Sequence, residues 1–451
     1  MVAVLGYGIE GQAVTRYLMK HGIKPVLFDQ KPWEEWSPAE QKKIIGLEIN
    51  FIFGPDTFKE LAGFDVAFRS PGVKLSDLDA TQGPRSGSLL VTSQTKWFFE
   101  HCPAKIIGVT GTKGKGTTAS LIYEILKRQE SRTYLTGNIG KDQPFDFLDI
   151  LTENDWVVYE LSSFQLQDLT VSPHIAVVLM ITEEHLDYHQ SLQEYLAAKA
   201  AIVKFQNKND FAIINADFAS SKNIGRLGEG TKVFFSRKSE LSAGCFIKEG
   251  EMVVKDVLRS NLKSPISNLQ LKGEHNLENI CAALCAAVCA GAKPAAIKKG
   301  IKNFKGLGHR LQLVAKKRGV EFYDDSFSTT PETAIAAILS FTQPEVVILG
   351  GSSKNSNFAQ LAETINSKEN IKTLILIGEE ASKIKNAIIK TPGWENRILE
   401  GAKNMKEVFE QIKTVAREGD IVLLSPACAS FGMFKNYKDR GEQFKKFALK
   451  F

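Results

Sequence analysis

Residues 106–118 read IIGVTGTKGKGTT. An apolar run ends in glycines spaced around a lysine, and a segment with helical character, TASLIYEIL, follows. Glycine lets the backbone turn tightly and aim several N–H groups at one point. The start of the following helix adds partial positive charge there, and Lys115 adds a full one. This combination is a phosphate cradle, and it predicts a nucleoside triphosphate site built from Gly111, Thr112, Lys113, Gly114, Lys115, Gly116, Thr117 and Thr118. The spelling departs from GxxxxGK[ST], in which the hydroxyl that holds Mg²⁺ directly follows the lysine. Gly116 stands in that place, and the first hydroxyl is Thr117. The plainer alternative is a glycine-rich turn with a surface lysine. The strand and helix on either side favour the phosphate site.

Upstream of the cradle the chain opens VAVLGYGIEGQAVTRYLMKHG and continues PVLFD. Gly6, Gly8 and Gly11 form GxGxxG between an apolar strand and a helix, and Asp29 ends the next strand. Alone this is a dinucleotide fingerprint or a plain Rossmann-like turn. With a second phosphate loop following, a nucleotide-linked substrate plus ATP fits better than a nicotinamide cofactor. The loop RSPGV (69–73) follows another strand and supplies a further wall.

Downstream, WVVYELSSFQL puts Glu160 at the end of an apolar run, HIAVVLMIT ends before EEHLDYH, and YLAAKAAIVKF reads as a helix. Strands alternating with helices predict mostly parallel sheets, with ligands gathering beyond the strand carboxyl ends. Thr110, Glu160 and Glu183 all fall at or just past such ends. Glu160 is a candidate Mg²⁺ ligand, because Mg²⁺ takes hard oxygen donors and binds substrate phosphates. His185 and His189 are four apart, as zinc ligands on a helix are, but no further His or Cys stands nearby. An oxygen-dominated metal cluster is the better expectation. Lys199 lies in an alanine-rich helix, and helix context alone reads it as a lysine that reaches out to solvent.

After about residue 306 the pattern recurs. EFYDDS, EVVILGGSSK, TLILIGEE and DIVLLSPACAS read as four strands of a second Rossmann-like sheet, without a phosphate fingerprint of its own. Arg310, in GHR, offers forked donors to phosphates, and Asp325 can contact ribose or metal-bound water. The hydroxyls of the DDSFSTTPE loop and Lys354 can bind a carboxylate.

A chain of 451 residues suits about three domains of ~150 residues. The expected arrangement is α/β in three domains: a Rossmann-like 1–92, a central P-loop domain 93–305 and a Rossmann-like 306–451. Apolar and charged contents of 43% and 24% are those of a globular protein, and the net charge of +6 is small for this length. No basic tract points to nucleic acid, and no run approaches the ~20 apolar residues of a membrane span. The start of the chain has no leader pattern, so a cytoplasmic enzyme is expected. Cys281, Cys285 and Cys289 repeat every four residues on one helix face. They can bind a soft metal, but packing as small apolar side chains is the expected role.

Taken in order, GYGIEG, RSPGV, GVTGTKGKGTT, GNIG, ELSSFQL, TEEHLDYH, YLAAK, GEHNLEN, GHR, DDSFSTTPE, LGGSSK and LLSPACASFGMFKNYKDRG resemble the Mur ligase superfamily. The last motifs are most similar to its branch of UDP-N-acetylmuramoyl-L-alanine:D-glutamate ligases. The resemblance covers essentially the whole chain and implies ATP-driven amide formation through an acyl phosphate, in peptidoglycan precursor synthesis. UDP-N-acetylmuramoyl-L-alanine and D-glutamate are the implied substrates, a monomer the implied form, and ATP with two Mg²⁺ ions the implied cofactors.

The residues the resemblance assigns fall in five overlapping groups. Ile9, Glu10, Asp29, Gln30, Ser70, Asn138 and Ser162 match positions around the UDP-sugar. Lys115, Glu160, His185, Lys199 and Lys354 match catalytic positions, with Thr117, Asn138, Glu160, His185 and Lys199 on the metal side. Asn279, Arg310 and Asp325 match ATP contacts, and Thr329, Lys354, Ser430 and Tyr437 surround D-glutamate. Lys199 aligns with a lysine that reacts with CO₂ to become a carbamate, which overrides its reading from helix context. Phe327 departs from versions of the motif with lysine there and receives no catalytic role. GKG followed by a hydroxyl is also the folylpolyglutamate synthase spelling, so a folate ligase stays open, as does a catalytically silent binding protein. The N-terminal domain ahead of the cradle argues against the first, and the intact lysine and carboxylate set against the second.

Overall fold

The apolar run before the first glycine fingerprint forms β1 (Val2–Leu5), and the chain adds β2 (Val26–Asp29), β3 (Phe51–Phe53), β4 (Val66–Arg69) and β5 (Leu90–Ser93) beside it. All pairings are parallel, in the order β3-β2-β1-β4-β5. The order reverses between β1 and β4, which opens a crevice at their carboxyl ends. The computed structural model describes residues 1–79, 89–140, 142–182, 191–266, 269, 271, 273–353, 356–394 and 396–451. Gly11 is needed for close approach, because a Cβ there would lie 1.9 Å from the Gly6 carbonyl oxygen. The helix Ile9–Lys20 therefore starts directly against the β1 turn.

A second sheet contains β6 (Lys105–Thr110), β7 (Thr133–Gly137), β8 (Trp156–Glu160), β9 (Ile175–Val178), β10 (Phe211–Asn215), β11 (Thr231–Ser236), β12 (Gly244–Lys248), β13 (Glu251–Val257) and β14 (Ser260–Pro265). Its order is β14-β13-β12-β11-β10-β9-β6-β8-β7. The strands from β7 to β12 are parallel, as expected. The last three form an antiparallel meander that the sequence reading did not foresee. Its loops are only two residues long, Glu249–Gly250 and Leu258–Arg259, all at positive φ. Such turns match the twist of a hairpin and leave no room for a parallel crossover.

The two sheets share one compact unit, Met1–Ile266 with Glu278–Ile301. A single buried cluster runs from Val4, Leu27 and Phe68 through Phe98 and Phe145 to Val157 and Tyr159. Cys281 and Cys285 are buried, free and beside Cys245 of β12, so they pack as small apolar groups. Arg69 pins the sheets together. Its guanidinium donates to Asp168 at 3.0 Å and to the carbonyls of Val73 and Phe164, and the Ser93 hydroxyl reaches the same carboxylate. Both side chains are nearly or fully buried, at 0% and 10% exposure. Arg69→Ala would leave Asp168 buried without its charge partner and should cost about 3–5 kcal/mol in chemical unfolding. Pairing it with Asp168→Leu should recover most of that loss. A single-variant cost below about 1 kcal/mol, the level of an exposed pair, would contradict this.

The second unit, Ser267–Leu277 with Lys302–Phe451, holds β15 (Gln312–Lys317), β16 (Val320–Asp324), β17 (Glu345–Gly350), β18 (Ile371–Ile377), β19 (Ile398–Leu399) and β20 (Ile421–Leu424). The order is β15-β16-β20-β17-β18-β19. The four expected strands make its centre, and β15 and β19 extend it at the edges. β15 pairs antiparallel through the Arg318–Gly319 turn, and the other pairings are parallel. No helix among the described residues is long and apolar enough to cross a membrane.

Candidate active site

The cradle follows β6, the strand between β9 and β8 where the order of the second sheet reverses. Gly111 and Gly114 shape it. A Cβ at Gly111 would meet Leu179 Cβ at 2.7 Å, and one at Gly114, whose φ is +86°, would meet Asn279 Oδ1 at 2.1 Å. Gly114 caps the helix Lys115–Leu126, which starts at Lys115 and buries Gly116, Thr117 and Thr118 in its first turn. Thr118 Oγ1 donates to Asn279 Oδ1 at 3.3 Å, so Asn279 lines the back of the loop. Lys113 points to solvent. Thr112 is fixed by the Thr182 backbone and lies 3.0 Å from the Tyr195 hydroxyl.

Lys115 folds over the cradle, with Nζ 3.0 Å from both the Gly111 and Thr112 carbonyl oxygens. Lys199 comes from the helix Leu192–Lys204 and is 2% exposed. Its Nζ sits 3.0 Å from the same Gly111 oxygen, 3.3 Å from Thr110 Oγ1 and 4.8 Å above the Tyr195 ring. The solvent-seeking reading from helix context is therefore corrected: the side chain points inward, to the strand end. Two lysine nitrogens contact one carbonyl oxygen, and like charges so placed repel. Glu160 is buried at the end of β8, beside β6 and β7, and Asn138 is exposed just past β7.

At the first sheet, Asp29 accepts from the Tyr7 and Lys31 backbone N–H groups at 2.7 and 2.9 Å, bracing the glycine turn. Ser70 Oγ donates to the Gly6 carbonyl at 2.8 Å. Ile9 and Gln30 are exposed at the crevice. Ser162 caps the short helix Ser163–Leu166 in a reciprocal box with Gln165, whose amide reaches Glu10 Oε1 at 2.7 Å.

In the second unit, Asp325 is buried and accepts from the Ser328 and Ser425 hydroxyls and the Leu311 N–H. Burial outweighs these donors and pushes its carboxyl up to about 7. Arg440, fully buried, ties Ser326 to the Cys428 and Ala429 carbonyls. Arg310 stacks its guanidinium 4.0 Å over the Phe327 ring, which meets Tyr437 edge-on at 5.0 Å. Ser430 is buried in the turn before the helix Tyr437–Ala448, and Thr329 is half-buried.

A model of the Mur ligase middle domain matches residues 109–287, and one of the Mur ligase glutamate ligase domain matches residues 309–428. The UDP-N-acetylmuramoylalanine--D-glutamate ligase of Ruminiclostridium cellulolyticum is 35% identical over 452 residues, covering 99% of this chain and 95% of that protein. The chain belongs to the Mur ligase family. A protein of the same name from Acetivibrio thermocellus is 36% identical over 450 residues, with 99% and 95% covered. Among solved structures, the Mur ligase MurC of Thermotoga maritima superposes with a TM-score of 0.61 at 17% identity, covering 99% of this chain and 98% of that one. That likeness is one of fold, the three-domain Mur ligase α/β arrangement.

Lys115, Glu160, Lys199, Thr117 and Asn279 of this Mur ligase thus gather at one strand end region. His185 and Glu183, with the rest of the acidic cluster, lie outside the described residues, and so does Lys354. Among the described residues, no three His, Cys, Asp or Glu side chains converge as a metal cage. Sequence reading missed Tyr195, Arg69, Gln165, Asp168 and Arg440. Two carried a local signal: Tyr195 precedes Lys199 by four residues and so shares its helix face, and Gln165 completes the Ser162-x-x-Gln165 spelling of a capping box.

Proposed function

We propose that this Mur ligase joins D-glutamate to UDP-N-acetylmuramoyl-L-alanine, driven by ATP, as a cytoplasmic monomer. The convergence of Lys115 and Lys199 on the Gly111 carbonyl, at the end of a P-loop strand and beside buried Glu160, carries the reading. Relatives of that name at 35% and 36% identity support the choice of substrates. Residues 1–92 would hold the UDP-sugar, 93–305 ATP, and 306–451 the amino acid.

A carboxylate is a poor acyl donor, so its oxygen must first become a good leaving group. One oxygen of the substrate's alanine carboxylate attacks the γ-phosphorus as the bond to ADP breaks. The amine of D-glutamate then attacks the acyl carbon, loses a proton and expels phosphate. The cradle N–H groups and Lys115 neutralise charge on the transferring phosphoryl group, which is most of what such a step requires. Asn279 would hold the nucleotide, and Thr329, Lys354, Ser430 and Tyr437 the incoming diacid.

Mg²⁺ fits the residues present, since a buried carboxylate and a helix-start hydroxyl are hard oxygen donors. Glu160 and Thr117 would hold it, with Asn138 and His185, and it would supply charge neutralisation at the phosphates. Lys199 would carry a carbamate: its ammonium would first lose one proton to solvent, and the neutral amine nitrogen would bond to the carbon of CO₂ with loss of a second, turning a cation into an anion. Thr117→Ala should raise the Mg²⁺ concentration needed for half-maximal turnover by about tenfold or more, while Gly116→Ser changes it little. Normal Mg²⁺ dependence in Thr117→Ala would place the hydroxyl ligand elsewhere.

The reading is tested by phosphate release from ATP with UDP-N-acetylmuramoyl-L-alanine and Mg²⁺, comparing D-glutamate, L-glutamate and no amino acid. Sustained release with D-glutamate alone is expected. Release only with L-glutamate or only with a folate acceptor, or none with any amino acid, would overturn it.

A further inference from the structure

Glu10 is the second residue of the helix Ile9–Lys20, at the glycine turn where the diphosphate of a UDP-sugar would meet the helix start. A carboxylate there faces an incoming ligand of its own sign. Its side chain is turned inward. Oε1 accepts from Gln165 Nε2 at 2.7 Å, and Oε2 is buried with no hydrogen-bond partner among the described residues. The groups that face it compensate its charge only in part. From β4 and the segment after β8 come Arg69 and Asp168, an ion pair at 3.0 Å whose charges oppose each other at Glu10. From β8 comes Tyr159, whose hydroxyl is engaged with Thr95 at 3.0 Å. No other acidic or basic residue lies in the first turn of the Glu10 helix. Burial pushes the carboxyl up to about 7 against the pull of Gln165 and Arg69.

We propose that the first-sheet site takes its UDP-sugar together with one proton, which the Glu10 carboxyl carries on Oε2. The proton comes from solvent and no other bond changes. It removes the like charge from beside the diphosphate and turns the unpartnered acceptor into a donor. Affinity for the UDP-sugar then falls about tenfold per pH unit above neutrality, the linkage expected of one proton. Glu10 is thus a determinant of substrate binding that makes occupancy of the site depend on pH. The inference rests on the reading of the first sheet as the UDP-sugar site.

The test is calorimetric titration of the full chain with UDP-N-acetylmuramoyl-L-alanine, without ATP, in two buffers of different ionisation heat. The diphosphate of this ligand is esterified at both ends and has no group titrating near neutrality. The wild type should take up about one proton on binding at about pH 8 and almost none at about pH 6. Glu10→Gln keeps the acceptor for Gln165 and should bind with no proton uptake and with pH-independent affinity. A residue that merely packs would shift affinity equally at both pH values. Wild-type binding at pH 8 without proton uptake, or equal uptake by Glu10→Gln, would overturn the proposal. Absence of wild-type binding at either pH would overturn the UDP-sugar reading itself, and the proton linkage with it.

Discussion

Lys199→Ala should lose at least about 10²–10³-fold in turnover, and a short carboxylic acid in the assay should restore part of it. The side chain is buried against the end of β6, with its nitrogen at the Gly111 carbonyl and Thr110 hydroxyl. If its working form is the carbamate, the variant lacks an anion beside the phosphate cradle, and a small carboxylate diffusing into the vacated space supplies similar oxygens. If its working form is the ammonium, the variant lacks a cation, and a short alkylamine is the group that rescues. Comparing acetate with methylamine separates the two at equal ionic strength. Unchanged ATP affinity and circular dichroism would show that the cavity left by truncation is tolerated. Full activity in Lys199→Ala, or rescue by the amine alone, would defeat the carbamate.

The second large effect is expected at Lys115. Lys115→Ala should lower kcat/KM for ATP by about 10²–10³-fold, as removal of a preorganised charge from a developing oxyanion does, and leave UDP-sugar binding unchanged. Its ammonium rests on two cradle carbonyls, a geometry suited to a compact point charge on a flexible stem. Arginine carries the same charge on a larger planar fork, so Lys115→Arg should rescue poorly. Steady-state kinetics with ATP as the varied substrate reads this directly. Wild-type ATP turnover in Lys115→Ala would remove the phosphate cradle as a premise.

What was legible in the sequence was whatever backbone geometry demands locally. Gly111, Gly114 and Gly11 stand where a Cβ would strike a neighbour, and their spacing announces the loops they allow. Apolar runs ending in polar residues located β6, β8 and β9, and with them Glu160 and the cradle. Lys199 was not legible from its helix, because alanine neighbours describe a surface as readily as a tight interface. Its burial follows from the strand order that sets the helix Leu192–Lys204 across the end of β6, a tertiary fact that only family resemblance anticipated. The Arg69–Asp168 pair spans 99 positions, and neither residue has a local pattern that names the other. The meander at β12–β14 had little local signal, since neither Glu249–Gly250 nor Leu258–Arg259 is one of the Asn-Gly or Asp-Gly pairs that favour positive φ at both turn positions. Asp325 shows a different limit. Its place in a polar loop suggested a contact to ribose or metal-bound water, but nothing local showed that it is buried and gathers Ser328, Ser425 and the Leu311 N–H.

The most direct test of the central claim, activation of a carboxylate by phosphoryl transfer before amide formation, is to follow ¹⁸O. UDP-N-acetylmuramoyl-L-alanine labelled in its alanine carboxylate is incubated with the enzyme, ATP, Mg²⁺ and D-glutamate, and the released phosphate is analysed by mass spectrometry. One labelled oxygen should appear in each phosphate, in step with the D-glutamyl product. Unlabelled phosphate accompanying product would contradict the acyl-phosphate route.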